Sequence, residues 1–233
     1  MSGVRRRLAV LAAAGGVHLG ALLTRRRGVE RITKPVLMPL LAEYVLMRGG
    51  PRLLAVALLL GCAGDALLQC EGQAAFLAGM AAFAAGHGCY LALFARQGTR
   101  GRGGYRRLAV PYGAVWAVST AALWPGLPPQ LRLPVGLYGL LLSVMAAGAA
   151  QTGTRAAVGG ALFLLSDGLI AGGLAGWPQA PVPQFWVMLT YLAAQFLLAE
   201  GLLAGEAGEG AGRVPGPGSM GQSWTAARAS TMP

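Results

Sequence analysis

Charged residues are scarce in this chain. Only 12% of its 233 residues are charged, whereas 55% are hydrophobic and the mean hydropathy is +0.55. Soluble domains carry about 25% charged residues, so this composition excludes an ordinary soluble domain. Together with long apolar runs, the shortage of charge predicts an all-α polytopic membrane protein.

Cysteine and histidine, which build most disulfide frameworks and zinc sites, are also rare. Cys62, Cys70 and Cys89 lie in or beside apolar runs and form no CxxC pair, and the histidines are His18 and His87. This set supports neither a disulfide scaffold nor a zinc site. The chain also lacks the GxSxG and HExxH motifs of serine hydrolases and zincins. We therefore expect no metal and no cofactor.

Acidic residues are outnumbered by basic ones, eight to 19, which gives a net charge of +11. The arginines form short clusters between apolar runs without interleaved aromatic residues, so we expect no nucleic-acid partner and interpret them as topogenic loop charge. With eight spans, 13 of the 19 basic residues lie on the side of the two termini. The positive-inside rule then predicts cytosolic termini, although five basic residues between the first two spans oppose this orientation.

Eight apolar runs approach the roughly 20 residues that a helix needs to cross a bilayer. They cover about residues 8–24, 34–48, 52–70, 73–95, 107–124, 132–151, 156–176 and 184–205. The first run follows three arginines and has two interpretations, a cleaved signal peptide or a retained span, of which we favour the second. We expect one transmembrane domain over residues 1–205 and a disordered tail, rich in Gly, Pro and Ser, over 206–233.

Two aspartates lie inside apolar runs. Asp65 belongs to RLLAVALLLGCAGDALLQC and Asp167 to GGALFLLSDGLIAGG. Measured from the arginine before each run, they lie about 20 and 18 Å along their helices, and therefore at similar depth. Because an intramembrane carboxylate is costly and marks a functional site by default, we interpret them as an acid–base pair, one protonated and one ionised. The alternative is two structural carboxylates bonded to Ser, Tyr or backbone groups.

Other polar side chains accompany these aspartates. His87 shares a helical face with Phe83 and Tyr90. It has two interpretations, a proton relay or a core histidine bonded to a neighbouring helix. Tyr191 and Gln195 are four residues apart and could line a polar cavity. Lys34 begins the second span, where it could meet a lipid phosphate, although a topogenic role is the commoner explanation.

The third and fourth spans resemble the seventh and eighth. Gly64-Asp65 is followed by His87, and Ser166-Asp167 is followed by Gln195 at a similar interval. Such an internal repeat predicts two parallel four-helix halves, an arrangement found in transporters. Chance similarity between apolar helices explains it equally well.

Several segments together resemble the YhhN-like lysoplasmalogenase family, and most closely its vertebrate transmembrane members. The resemblance covers about residues 30–204, and the segments that carry it are GDALLQ (64–69), FLAGMAAFAAGHGCYLALF (76–94), LPVGLYGLLL (133–142), GGALFLLSDGLIA (159–171) and YLAAQ (191–195). It implies a multi-pass endoplasmic-reticulum enzyme that cleaves the vinyl ether bond of lysoplasmalogens. The products would be a fatty aldehyde and glycerophosphocholine or glycerophosphoethanolamine.

The resemblance also implies roles for individual residues. The catalytic pair is Asp65 and Asp167, and the implied substrate-binding residues are Lys34, His87, Tyr90, Tyr138, Ser166, Tyr191 and Gln195. The chain departs from the family in its last span, where Leu192 stands in place of a second tyrosine. The expected partners are the lysolipid and the bilayer. The competing hypothesis is a transporter of a small solute or lipid that uses the two aspartates as a proton relay.

Overall fold

The computed structural model describes residues 2–97 and 102–212, with side chains over 3–97 and 107–205. This part of the chain contains eight α-helices and no strand, which confirms the predicted all-α fold. The helices are α1 (Ser2–Leu23), α2 (Arg27–Met47), α3 (Arg52–Leu67), α4 (Gln73–Gln97), α5 (Arg102–Leu123), α6 (Pro129–Thr152), α7 (Thr154–Leu174) and α8 (Pro183–Gly212).

Five of these helices, α1, α4, α6, α7 and α8, are long and apolar enough to cross a membrane by length and composition. The other three fall short for separate reasons. α3 has 16 residues, about 24 Å of helix, while α2 and α5 open with charged residues. Large apolar side chains point outward on the bundle, such as Val110 and Val118, which are 74% and 70% exposed. The chain is therefore a polytopic membrane protein.

Most consecutive helices pack against each other, and α8 is the central helix of the bundle. It contacts α1, α2, α4, α6 and α7. α4 also packs on α6, while α5 lies against α6 and touches α7 only lightly. α8 thus meets helices from both halves of the chain, and the division into two parallel four-helix halves remains a prediction.

The helix boundaries differ from the apolar runs most at α1, α2, α5 and α8. α2 begins at Arg27, before the predicted span start at residue 34, because arginine and glutamate are good helix formers outside an apolar environment. α8 continues to Gly212, past the predicted domain boundary at residue 205. The rest of the predicted tail, residues 213–233, lies outside the described residues.

α7 and α8 approach each other closely because small residues face across their interface. A Cβ atom built on Gly201 of α8 would lie 2.8 Å from both the backbone nitrogen and the Cβ of Ala156 on α7. Glycine at this position therefore permits direct backbone contact, which is the usual way in which membrane helices pack tightly.

We expect Gly201→Ala to destabilise the bundle, because its methyl group would collide with the backbone of α7, at a cost of about 1–3 kcal/mol. Gly88→Ala is the matched control, since a Cβ on Gly88 of α4 meets nothing within 4 Å. There alanine should be neutral or stabilising, by about 0.5–1 kcal/mol of helix propensity. Thermal unfolding in detergent measures both variants. Equal unfolding midpoints for the two would contradict the close packing of α7 and α8.

Candidate active site

A cavity of about 320 Å³ lies inside the bundle and is lined by residues from α2 to α8. Its outer end is near the junctions where α3 and α7 end and α4 and α8 begin, marked by Leu68, Phe76, Leu174 and Gln184. The cavity brings together six of the predicted site residues, namely Lys34, Asp65, Tyr138, Ser166, Asp167 and Tyr191.

Asp65 is the carboxylate that a cation neutralises. The Nζ atom of Lys34 lies 3.3 Å from Asp65 Oδ1, and their side chains are 15% and 6% exposed. The Tyr191 hydroxyl lies beside the same carboxylate. Because burying an unpaired charge costs far more than burying a paired one, this ion pair explains how Asp65 is tolerated in an apolar span.

The prolines of α2 create a further contact between α2 and α3. Pro39 has no N–H group, so the carbonyl of Pro35 loses its normal partner in the helix. Cys62 of α3 supplies a replacement, since its Sγ donates to that carbonyl at 3.2 Å. Cys62 precedes Asp65 by three residues, so the Cys62–Pro35 contact and the Asp65–Lys34 ion pair lie on the same face of α3.

A chain of hydrogen bonds leads to Asp65 from behind the cavity. The Tyr90 hydroxyl donates to Gln195 Oε1 at 2.6 Å, and Gln195 Nε2 donates to the Tyr191 hydroxyl at 3.3 Å. Tyr191 therefore has its own proton left for Asp65. Gly61 makes room for this chain, because a Cβ there would lie 3.0 Å from the Tyr191 hydroxyl and 3.2 Å from Gln195 Nε2. Every donor in the chain points toward Asp65.

Asp167 has a different set of partners. The Tyr138 hydroxyl donates to Asp167 Oδ2 at 2.6 Å, and His87 Nε2 lies 3.1 Å from the same hydroxyl. Because Tyr138 gives its only proton to Asp167, His87 must donate to the Tyr138 hydroxyl from Nε2. Among the described residues, no cation forms an ion pair with Asp167.

Aromatic rings pack against both His87, near Asp167, and Tyr191, near Asp65. Phe163 packs edge-on against His87, with ring centroids 4.8 Å apart, and against Tyr191 at 5.5 Å. Phe83 also meets Tyr191 edge-on, at 5.9 Å. Phe163 is fully buried, and sequence reasoning missed it because one more phenylalanine in an apolar run carries no distinct signal.

The predicted site residues therefore form two layers. His87, Tyr90 and Gln195 do not line the cavity but lie behind it, where they hold Tyr138 and Tyr191. Ser166 lines the cavity, and its hydroxyl donates to the Val187 carbonyl of α8 at 3.1 Å. Sequence reasoning also missed the polar lining residues Ser119, Thr120 and Ser143, because isolated hydroxyls in apolar runs are common.

The electrostatic difference between the aspartates decides what the cavity can do. Asp65 receives a cation and a hydroxyl donor, which favour its ionised form. Asp167 receives the Tyr138 hydroxyl and, within the described part of the chain, no cation, and burial favours the neutral form of an unpaired carboxyl group. The two carboxyl groups that face the cavity thus differ in their partners, since a cation is bonded to Asp65 alone among the described residues.

Known proteins resemble this chain over most of its length. The sequence model of the YhhN family matches residues 29–202. The human protein named lysoplasmalogenase TMEM86B is 32% identical over 169 residues, or 64% of this chain and 63% of the human protein. The rat protein of that name is 33% identical over 71% of this chain and 68% of its own length. The pig protein of that name is 35% identical over 70% of this chain and 71% of its own length.

No solved structure gives a significant match to the chain. The match to the human relative spans less than two thirds of that protein's length. The family match, in contrast, covers all of α3 to α7, most of α2 and α8, and every residue described above as lining or supporting the cavity. The chain therefore belongs to the YhhN family.

Proposed function

We propose that this protein is a lysoplasmalogenase, which hydrolyses the vinyl ether bond of an alkenyl glycerophospholipid. The products are a fatty aldehyde and glycerophosphocholine or glycerophosphoethanolamine. Support comes from relatives that carry this name and, above all, from one observation. Two carboxyl groups face the same cavity, and of the two only Asp65 is paired with a cation among the residues that the structure describes.

The chemistry of a vinyl ether fits such a pair. Protonation of the β-carbon produces an oxocarbenium ion, to which water adds, and the resulting hemiacetal collapses to aldehyde and alcohol. This reaction needs a protonated acid near the carbon and a negative charge near the developing cation. It requires neither a nucleophilic serine nor a metal ion.

We assign Asp167 as the general acid. It has no cationic partner among the described residues, and Tyr138 donates to one carboxyl oxygen, so the other oxygen is free to carry the transferable proton. In this assignment His87 is a positioning residue, because it contacts Tyr138 and not the cavity.

We assign Asp65 as the carboxylate that stays ionised. Its negative charge would stabilise the oxocarbenium ion and orient the attacking water. Lys34 favours this ionised form against the opposing effect of burial. Because an ammonium group has three donors, Lys34 also retains N–H groups for the glycerol or phosphate oxygens of the lipid.

The proton balance closes on Asp167. Its proton goes to the β-carbon, and the carboxylate that remains accepts a proton from the water that attacks the α-carbon. The same proton then passes to the ether oxygen of the hemiacetal while the carbon–oxygen bond breaks, and the hydroxyl proton of the hemiacetal returns to Asp167, directly or through solvent. Asp167 thus acts as an acid, as a base and again as an acid, and it ends the cycle protonated.

The proposal includes the endoplasmic-reticulum membrane as location and cytosolic termini. The family resemblance supports the first, and the excess of basic residues on the side of the termini supports the second. The names of the relatives describe an enzyme, which does not favour the transporter hypothesis.

Asp65→Asn and Asp167→Asn should each reduce hydrolysis by roughly 10²- to 10⁴-fold or more, since each removes one acid–base group. The control is Glu43→Gln, the same change at an ion pair with Arg7 on the bundle exterior. It should leave turnover unchanged. Aldehyde release by purified protein in micelles, together with its elution profile, measures activity and folding. Turnover near the wild-type rate in either aspartate variant would remove that residue from the mechanism.

Carbon protonation also predicts which lipids are cleaved. Alkenyl lysolipids should react, whereas alkyl and acyl lysolipids with the same head group should bind as competitive inhibitors and stay intact, because neither yields an oxocarbenium ion by protonation at carbon. In deuterated water one deuterium should enter the aldehyde α-carbon. Mass spectrometry of the products measures both effects. Acyl cleavage at a comparable rate, or an aldehyde without deuterium, would contradict the mechanism.

A further inference from the structure

The cavity is small for a lysolipid. Its volume of about 320 Å³ is at the lower end of the range for drug-sized ligands, about 300–1,000 Å³. A long hydrocarbon chain attached to a phosphorylated glycerol does not fit entirely within it. If the vinyl ether lies between Asp65 and Asp167, the rest of the chain must leave the cavity through an opening between helices.

A groove on the bundle exterior lies beside the cavity. It lies between α4 and α6, has a volume of about 280 Å³, and shares two residues with the cavity, Met80 and Tyr138. Its remaining lining side chains are all apolar and include Ala81 and Ala84 of α4 and Leu137 of α6. Leu137 is 59% exposed, so the outer rim of the groove faces the surroundings of the bundle.

We propose that the hydrocarbon chain of the substrate passes between Met80 and Tyr138 and lies in this α4–α6 groove. The inference rests on the proposed function, because it takes a lysolipid as the ligand. Two alanines on α4 leave room for methylene groups, and a methionine side chain is flexible enough to move aside. Tyr138 then has two roles, since its hydroxyl bonds Asp167 while its ring borders the path of the chain.

The side of the cavity formed by α5 and α7 differs from the groove because it carries hydroxyl groups. Ser119 and Thr120 of α5 line the cavity there, together with apolar residues such as Val115 and Ile170. Hydroxyl groups can bond glycerol and phosphate oxygens but offer nothing to a hydrocarbon chain. The α5 and α7 side of the cavity thus offers polar contacts that the α4–α6 groove lacks.

The test fills the groove and compares chain lengths. Ala84→Trp places an indole in the groove, whereas Ala85→Trp, one residue along α4, points to the exposed side and is the matched control. If the indole displaces two methylene groups of the lipid chain from the groove, KM for a long-chain alkenyl lysolipid should rise about tenfold or more. KM for a short-chain analogue, which does not reach the groove, should stay unchanged within about twofold. Ala84→Leu is the smaller variant to use if the tryptophan prevents folding.

A binding measurement separates this inference from the hydrolase proposal. An uncleavable alkyl lysolipid with a photoreactive group in its chain should label α4 and α6 of the wild-type protein, and Ala84→Trp should abolish the label. If this labelling occurs and the wild type cleaves no alkenyl lipid, the hydrolase proposal fails and the chain site stands. Labelling of α5 and α7, or equal KM changes for long and short chains, would overturn the chain site.

Discussion

Lys34 and Asp65 form an ion pair of 3.3 Å inside a bundle whose exterior is apolar. In such surroundings a lone carboxylate or ammonium group would be strongly disfavoured, whereas the pair is tolerated. The pair fixes α2 against α3, and Tyr191 approaches the same carboxylate from α8. The position of three helices around the cavity thus depends on satisfying one buried charge.

The same pair creates the asymmetry between the two aspartates. All hydrogen-bond donors around Asp65 point toward it, and one of them is a cation. Asp167, which lines the same cavity, receives the hydroxyl of Tyr138, and that hydroxyl is also bonded to His87. The partners of the two aspartates therefore favour different protonation states. In our proposal this difference separates the general acid, Asp167, from the stabilising carboxylate, Asp65.

Much of the fold and part of the site were predictable from sequence. The eight helices follow from apolar runs, and Asp65 and Asp167 were recognisable because a carboxylate in such a run is expensive. Tyr138 was expected only through family resemblance, since a tyrosine in an apolar run has no special pattern of its own.

Contacts between distant helices were not predictable. The pairing of Lys34 with Asp65 depends on how α2 packs on α3. Cys62, which the sequence shows only as a cysteine in an apolar run, donates to the carbonyl of Pro35 that lacks its normal partner in the helix. Phe163, and the groove beside Met80, arise from packing between helices that no local pattern specifies. Such features depend on side-chain geometry across helices, which periodicity within one helix does not encode.

The protonation state of Asp167 is the most direct test of the central claim. Infrared spectroscopy of the purified protein at neutral pH detects the carbonyl stretch of a protonated carboxyl group, which shifts on exchange into deuterated water. We expect this band in the wild type and in Glu43→Gln, and its loss in Asp167→Asn. A wild type without the band, or a band that persists in Asp167→Asn, would contradict the assignment of Asp167 as the acid.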